Sequence, residues 1–250
     1  MKLCALFLVM GLCNTNAFAR ESRVLVYTRN YTPDGKGYVH SNIATSVEAI
    51  RKIGARNHFA VDVSNDPKVF TSKKFRKYKA LIFSNSNNVA FDTEGQRQSF
   101  KHFIEAGGGF VGIHSASGSE RHWDYFAQVL GGRFVQHPVL QTFVVHVADP
   151  HSSLTRDIPS KFDWTDECYF LDHLSPDLHV LLTTDRTALR GLEQIQIDVS
   201  RFPNPLPLAW YHTFDGGREF YLALGHREEA YSDPLFLNIL TQGILWSMKR

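Results

Sequence analysis

The chain has 250 residues, 43% of them hydrophobic and 21% charged, with aromatics at 13% and a formal charge of +2. That composition excludes a disordered chain and, with 3 cysteines, a disulfide scaffold. The small net charge and the lack of a long basic run exclude nucleic acid or a charged membrane surface as the expected partner.

Met1-Lys2 gives a positive start, and Leu3 to Leu12 is an apolar run too short to span a bilayer. Ala17-Phe18-Ala19 has the small-x-small form of a cleavage site. These features predict a signal peptide over 1–19 and a single mature domain over 20–250. The product would be periplasmic or secreted, with no membrane attachment after cleavage. A lipid anchor would use Cys13, but Leu12 stands where a small residue is wanted. Cleavage leaves Cys168 alone, so no intramolecular disulfide can form, and a buried position suits it better than a nucleophilic role.

Arg23 to Thr28 is a β-rich run. Asn42 to Ile53 has helical spacing and a stop at Gly54, and Phe59–Val63 and Ala80–Phe83 are strands. Thr93 caps a helix that Gly107 ends, and Gly109 to His114 follows as a buried strand. This β-α-β-β-α-β order predicts an α/β fold with a doubly wound, mostly parallel sheet. Further strands are predicted at 142–147, 179–183, 206–212 and 219–224, and a closing helix at 233–249. Residues 186–205 lack a pattern and read as a surface excursion.

Of 12 histidines, His58, His102 and His179 read as solvated, and His146 could face either side of its strand. His40, His114, His137 and His226 stand at strand ends or in the loops after them, where open α/β sheets place ligands. Gly112 and Ala116 lie two residues either side of His114. That is the pattern of a nucleophile elbow, a strained turn that exposes one side chain above the sheet. Here the side chain is an imidazole. A serine-hydrolase reading would need Ser115, whose flanks do not match, and a hydrogen-bonded packing role for His114 stays open. Glu167 near several imidazoles is a candidate metal ligand, general base or tautomer-fixing partner, with a plain surface acid as the alternative. Trp123, Tyr169, Trp210 and Tyr211 are candidate sugar-stacking or core aromatics.

GGGFVGIHSA at 107–116, GGRFVQHP at 131–138, DECY at 166–169, PLAW at 207–210 and GREFYLALGH at 217–226 together resemble the trehalose-utilisation (ThuA-like) family. The resemblance runs from about Val24 to Trp246. It implies a flavodoxin-like, class I glutamine-amidotransferase-like fold. His114 falls where amidotransferases carry their cysteine, which argues against glutamine hydrolysis. Matching the family's polar positions brings His40, His114, His137, Glu167 and His226 together at the carboxyl ends of the strands. Cys168 departs from the family's usual tryptophan.

The resemblance implies handling of trehalose and related disaccharides, including 3-keto sugars. Such sugars carry acidic hydrogens beside a carbonyl, which suits imidazole and carboxylate bases. His114 and Glu167 are the expected catalytic pair, with His40, His137 and His226 binding substrate or metal. A divalent metal such as zinc would sit on His40, His114 and His226, leaving one position to water. No other cofactor is expected. The competing expectation is a secreted sugar-binding module that kept the fold without turnover.

Overall fold

The computed structural model describes residues 21–249, so the predicted signal peptide over 1–19 and its cleavage site lie outside the described residues. The elements in chain order are β1 (Ser22–Tyr27), β2 (Asn30–Tyr31), α1 (Ile43–Arg56), β3 (Phe59–Ser64), β4 (Ala80–Ser84), β5 (Asn87–Asn88) and α2 (Glu94–Glu105). Then come β6 (Gly109–Ile113), α3 (Asp124–Leu130), β7 (Arg133–Gln136), β8 (Gln141–Val147), β9 (Lys161–Asp166) and β10 (Phe170–Asp172). The chain closes with β11 (His179–Thr184), β12 (Leu206–Phe214), β13 (Gly217–Leu222) and α4 (Pro234–Ser247).

One nine-stranded sheet organises them, in the order β3-β1-β4-β6-β13-β12-β11-β8-β9. The first five strands pair in parallel, in the 2-1-3-4-5 order of flavodoxin-like sheets. Beyond β13 every pairing is antiparallel. Following those directions across the sheet, only β12 and β8 run against the rest. Seven strands therefore end at the same edge, among them β6, β9 and β13.

Alternation along β1 shows why both faces are covered. Val24 and Val26 join a core under α1 and α4, whereas Leu25 and Tyr27 face the side of α2 and α3. The second face is built largely of phenylalanine: Phe70, Phe83, Phe91, Phe100, Phe110 and Phe126 meet with ring centroids 4.8 to 6.5 Å apart. Tilted and edge-on rings of this kind contribute about 0.5–1.5 kcal/mol per pair beyond the area they bury.

α2 begins with the predicted Thr93, which forms a reciprocal capping box with Gln96. α1 runs through Gly54 to Arg56 rather than stopping there. Gly54 is a packing position instead: a Cβ would lie 2.8 Å from the Phe59 carbonyl oxygen. Residues 186–205 form three short 3-10 turns, yet Leu189, Leu192, Ile195, Ile197 and Phe202 pack on the core. The excursion is thus a cover for the antiparallel half, hidden in the sequence because its apolar residues follow no regular period. No helix among the described residues is long and apolar enough to cross a membrane.

Candidate active site

His114 follows β6 directly, with φ +50°, the left-handed conformation that a non-glycine residue rarely adopts. Its flanks are small for a reason. A Cβ on Gly112 would press on Tyr221 and Leu130, and Ala116 is packed beneath the turn. The elbow geometry is therefore present, but it continues into a 3-10 turn, and the next α-helix starts only at Asp124. It also does not expose its side chain. His114 is 0% exposed, because the 166–169 segment places the Tyr169 ring over it at 4.3 Å.

Both His114 ring nitrogens are engaged. Nδ1 lies 2.7 Å from the Ala223 carbonyl, which only accepts, so Nδ1 carries the proton and donates it. Nε2 then presents its lone pair, 2.7 Å from the Tyr169 hydroxyl and 3.4 Å from Glu167 Oε2.

Three other donors converge on the same point. Glu167 follows β9, His226 follows β13 across Gly225, and His40 is carried by the loop between β2 and α1. One donor atom from each of His40, His114, Glu167 and His226 lies within 4.8 Å of the others. His226 Nδ1 is 3.2 Å from Glu167 Oε2. His40 Nδ1 meets Ser115 Oγ at 3.2 Å, and its Nε2 is buried without a hydrogen-bond partner. His137 stands apart from this group. Its Nδ1 donates to the Pro138 carbonyl, and its Nε2 faces Glu167 Oε1 at 3.6 Å.

The electrostatics follow from burial and proximity. Burial, with the neighbouring imidazoles, pushes His40 down to about 3, so it is neutral near pH 7. Burial alone would raise Glu167, but the His114, His226 and His137 imidazoles gathered around it outweigh that and hold the carboxyl well below the usual carboxylate range. Glu167 in turn raises His226.

The donor set fits a divalent cation. It comprises three imidazoles, one ionised carboxylate, an orphaned buried nitrogen on His40 and a tautomer of His114 fixed by a backbone carbonyl. Glu167 joins the three expected metal-binding histidines, His40, His114 and His226, as a fourth donor.

Of the candidate stacking aromatics, only Tyr169 lies at this site. Trp210 is buried in the core, Trp123 packs on Phe91 and Phe100, and Tyr211 stacks on His179. Cys168 is fully buried, and burial pushes its thiol up. His58, His102, His146 and His179 are exposed. Sequence reasoning did not single out Ser115 as the partner of His40, nor Asp166 and Asn42. The only signals for the last two were their places beside Glu167 and two residues after His40.

The profile of one known family, ThuA, described as trehalose utilisation, matches residues 23–247. The chain belongs to the ThuA family. Among solved structures it is similar to a ThuA-like protein from Bacteroides uniformis ATCC 8492, at 21% identity over 95% of each chain and a TM-score of 0.71. A second ThuA-like protein, from Parabacteroides merdae ATCC 43184, shares 17% identity over 91% of this chain and 90% of that one, at a TM-score of 0.67. A glutamine amidotransferase from Thermotoga maritima shares 12% identity over 92% and 99%, at a TM-score of 0.53. At these identities the likenesses establish the fold: ThuA-like, on the class I glutamine-amidotransferase-like α/β framework. No curated protein matches the sequence.

Proposed function

We propose that this ThuA-family protein is a metal-assisted enzyme that acts on an oxidised, 3-keto disaccharide or glycoside by acid–base chemistry, in the periplasm or outside the cell. The observation that carries the reading is the convergence of His40, His114, Glu167 and His226 within 4.8 Å at the carboxyl edge of the sheet. A sugar-binding module has no use for three converging imidazoles and a carboxylate, two of them fully or nearly fully buried. The trehalose-utilisation description of the family supports a sugar as substrate, and the charge–apolar–small order of residues 1–19 supports export.

A divalent cation held by His40, His114, Glu167 and His226 would polarise a sugar carbonyl or acidify a bound water. The protein's own groups supply the rest. Ala223 holds the His114 proton on Nδ1 and keeps Nε2 turned to the site. The Tyr169 hydroxyl, 2.7 Å from that nitrogen, is placed to donate a proton to a developing alkoxide or enolate. Glu167 Oε1 and the partly exposed His137 form a path for a proton leaving the carbon next to the carbonyl. Glutamine hydrolysis does not fit, because His114 stands where that chemistry needs a thiolate and Cys168 is buried.

The test uses protein expressed without a His tag. We expect close to one equivalent of a divalent metal, turnover of a 3-keto disaccharide, loss of turnover with chelator, and a fall of about 10²–10⁴-fold in His114→Ala. Metal-free wild type, or a fully active His114→Ala protein, would overturn the reading. Sugar binding without turnover would support the non-catalytic alternative.

A further inference from the structure

The dipeptide Gly225–His226 lies beyond the end of β13, where the sheet ladder no longer satisfies its backbone groups. Buried side chains from elsewhere in the fold do so instead. Asp166, the last residue of β9, is fully buried. Its Oδ2 accepts the Gly225 N–H at 2.8 Å and the Trp164 indole N–H at 3.0 Å. Its Oδ1 accepts the His226 N–H at 3.2 Å and the Glu167 N–H at 2.9 Å. On the other side, Asn42 Nδ2 donates to the Gly225 carbonyl at 2.6 Å and the His226 carbonyl at 2.7 Å. Carbonyls only accept, so the Asn42 amide orientation is unambiguous. Tyr231 adds a second donor to the Gly225 carbonyl at 3.0 Å. Gly225 has φ +115°, and a Cβ there would sit 2.9 Å from the Tyr231 hydroxyl.

Every backbone N–H and C=O of this dipeptide is thus held by a side chain from elsewhere in the fold. Asp166 is joined covalently to Glu167, and Asn42 lies two residues from His40. A fully buried carboxylate is expensive to place unless its donors are all present, and here four are. Water at an open strand end would satisfy the same backbone groups without that expense, but it would leave His226 free to move.

We infer that Asp166 and Asn42 are positioning residues that lock the backbones bearing His40, Glu167 and His226 into one rigid donor set. Asp166 ties Glu167 to His226 through their N–H groups, and Asn42 ties His226 to the His40 loop through its carbonyl. The inference rests on the proposed role of those three residues. Groups that orient ligands in this way alter metal affinity or activity by about 10–100-fold.

Cobalt(II) titration of tag-free protein tests it, because the visible spectrum of cobalt reports donor geometry independently of turnover. Asp166→Asn keeps the shape but turns an N–H donor toward the Gly225 or His226 N–H, and Asn42→Ala removes both bonds donated to the dipeptide, together with one to Asn85. We expect cobalt affinity to fall about 10–100-fold in each, with an altered spectrum, at temperatures where the variants are folded. Thr93→Ala, which removes the α2 cap far from the site, is the control for lost stability and should bind as wild type does. Wild-type affinity and spectrum in both variants, with only a lowered Tm, would overturn the inference. If wild-type protein takes up no cobalt, the metal reading fails instead. The clamp is then judged by the crystal structures of the variants: displacement of His226 from Glu167 supports it and an unmoved dipeptide refutes it.

Discussion

His114 satisfies two descriptions at once. It is a buried imidazole with both nitrogens engaged, as a packing histidine would be, and it sits at φ +50° in a turn of elbow geometry. What separates the two is its company, since a packing histidine needs one or two partners and not three further donors. His137 illustrates the boundary of that group. Its Nε2 reaches Glu167 Oε1 at 3.6 Å, while the four-donor set closes without it. His137→Ala is therefore expected to keep its metal, measured by elemental analysis, and to lose about 10–100-fold in kcat. Loss of metal along with activity would place His137 among the ligands instead.

Among the elements, β13 carries the site at one end and an unexplained group near the other. Glu219 is 1% exposed, and neither carboxyl oxygen has a hydrogen-bond partner. Burial raises it well above the usual carboxylate range, so the folded protein holds it protonated where the unfolded chain would ionise it. The folded state then binds the extra proton, and stability falls as pH rises above the unfolded carboxyl value of about 4.3. Glu219→Met should raise stability at pH 7 by about 1–3 kcal/mol, the usual penalty of an unpartnered buried polar group. The gain should shrink toward pH 4, where the carboxyl is neutral in both states. Urea melts at the two pH values decide this, and a pH-independent loss of stability would refute it. α2 shows the opposite case, an element whose start is set locally by Thr93 and Gln96 and needs no tertiary help.

At the scale of the whole molecule, the seven co-directed strands explain why chemistry gathers at one edge. His40 and His114 come from the parallel half, Glu167 from the far antiparallel edge, and His226 from the strand where the two halves join. A cation bound by all four would tie the halves together only in the folded state. Added zinc is therefore expected to raise Tm with concentration, by an amount worth about 2.7 kcal/mol at one hundred times Kd. His114→Ala should show no such rise. A Tm of wild-type protein insensitive to zinc would contradict a shared site.

Several features of this protein were legible in the residues alone. The parallel half follows from alternating strand and helix periods between 23 and 114, because those signals are local: a capping box, a glycine stop, a buried apolar run. His114, His137 and His226 were legible because each stands just after a strand, and strand ends in such a sheet point to one edge, whereas His40 and Glu167 were drawn to the same edge by the family resemblance. Other features were not local and so were not legible. The strand 161–166 has only weak alternation, and its place at the sheet edge is set by pairing with β8. Gly54 stops a helix by propensity but continues it by packing against Phe59. The burial of His114 depends on Tyr169, 55 residues away, and the separation of His137 from the four donors depends on angstroms that spacing cannot supply. The clamp of Asp166 and Asn42 on Gly225–His226 spans up to 184 residues. Its hydrogen bonds exist only once β9, β13 and the β2–α1 loop have been brought together.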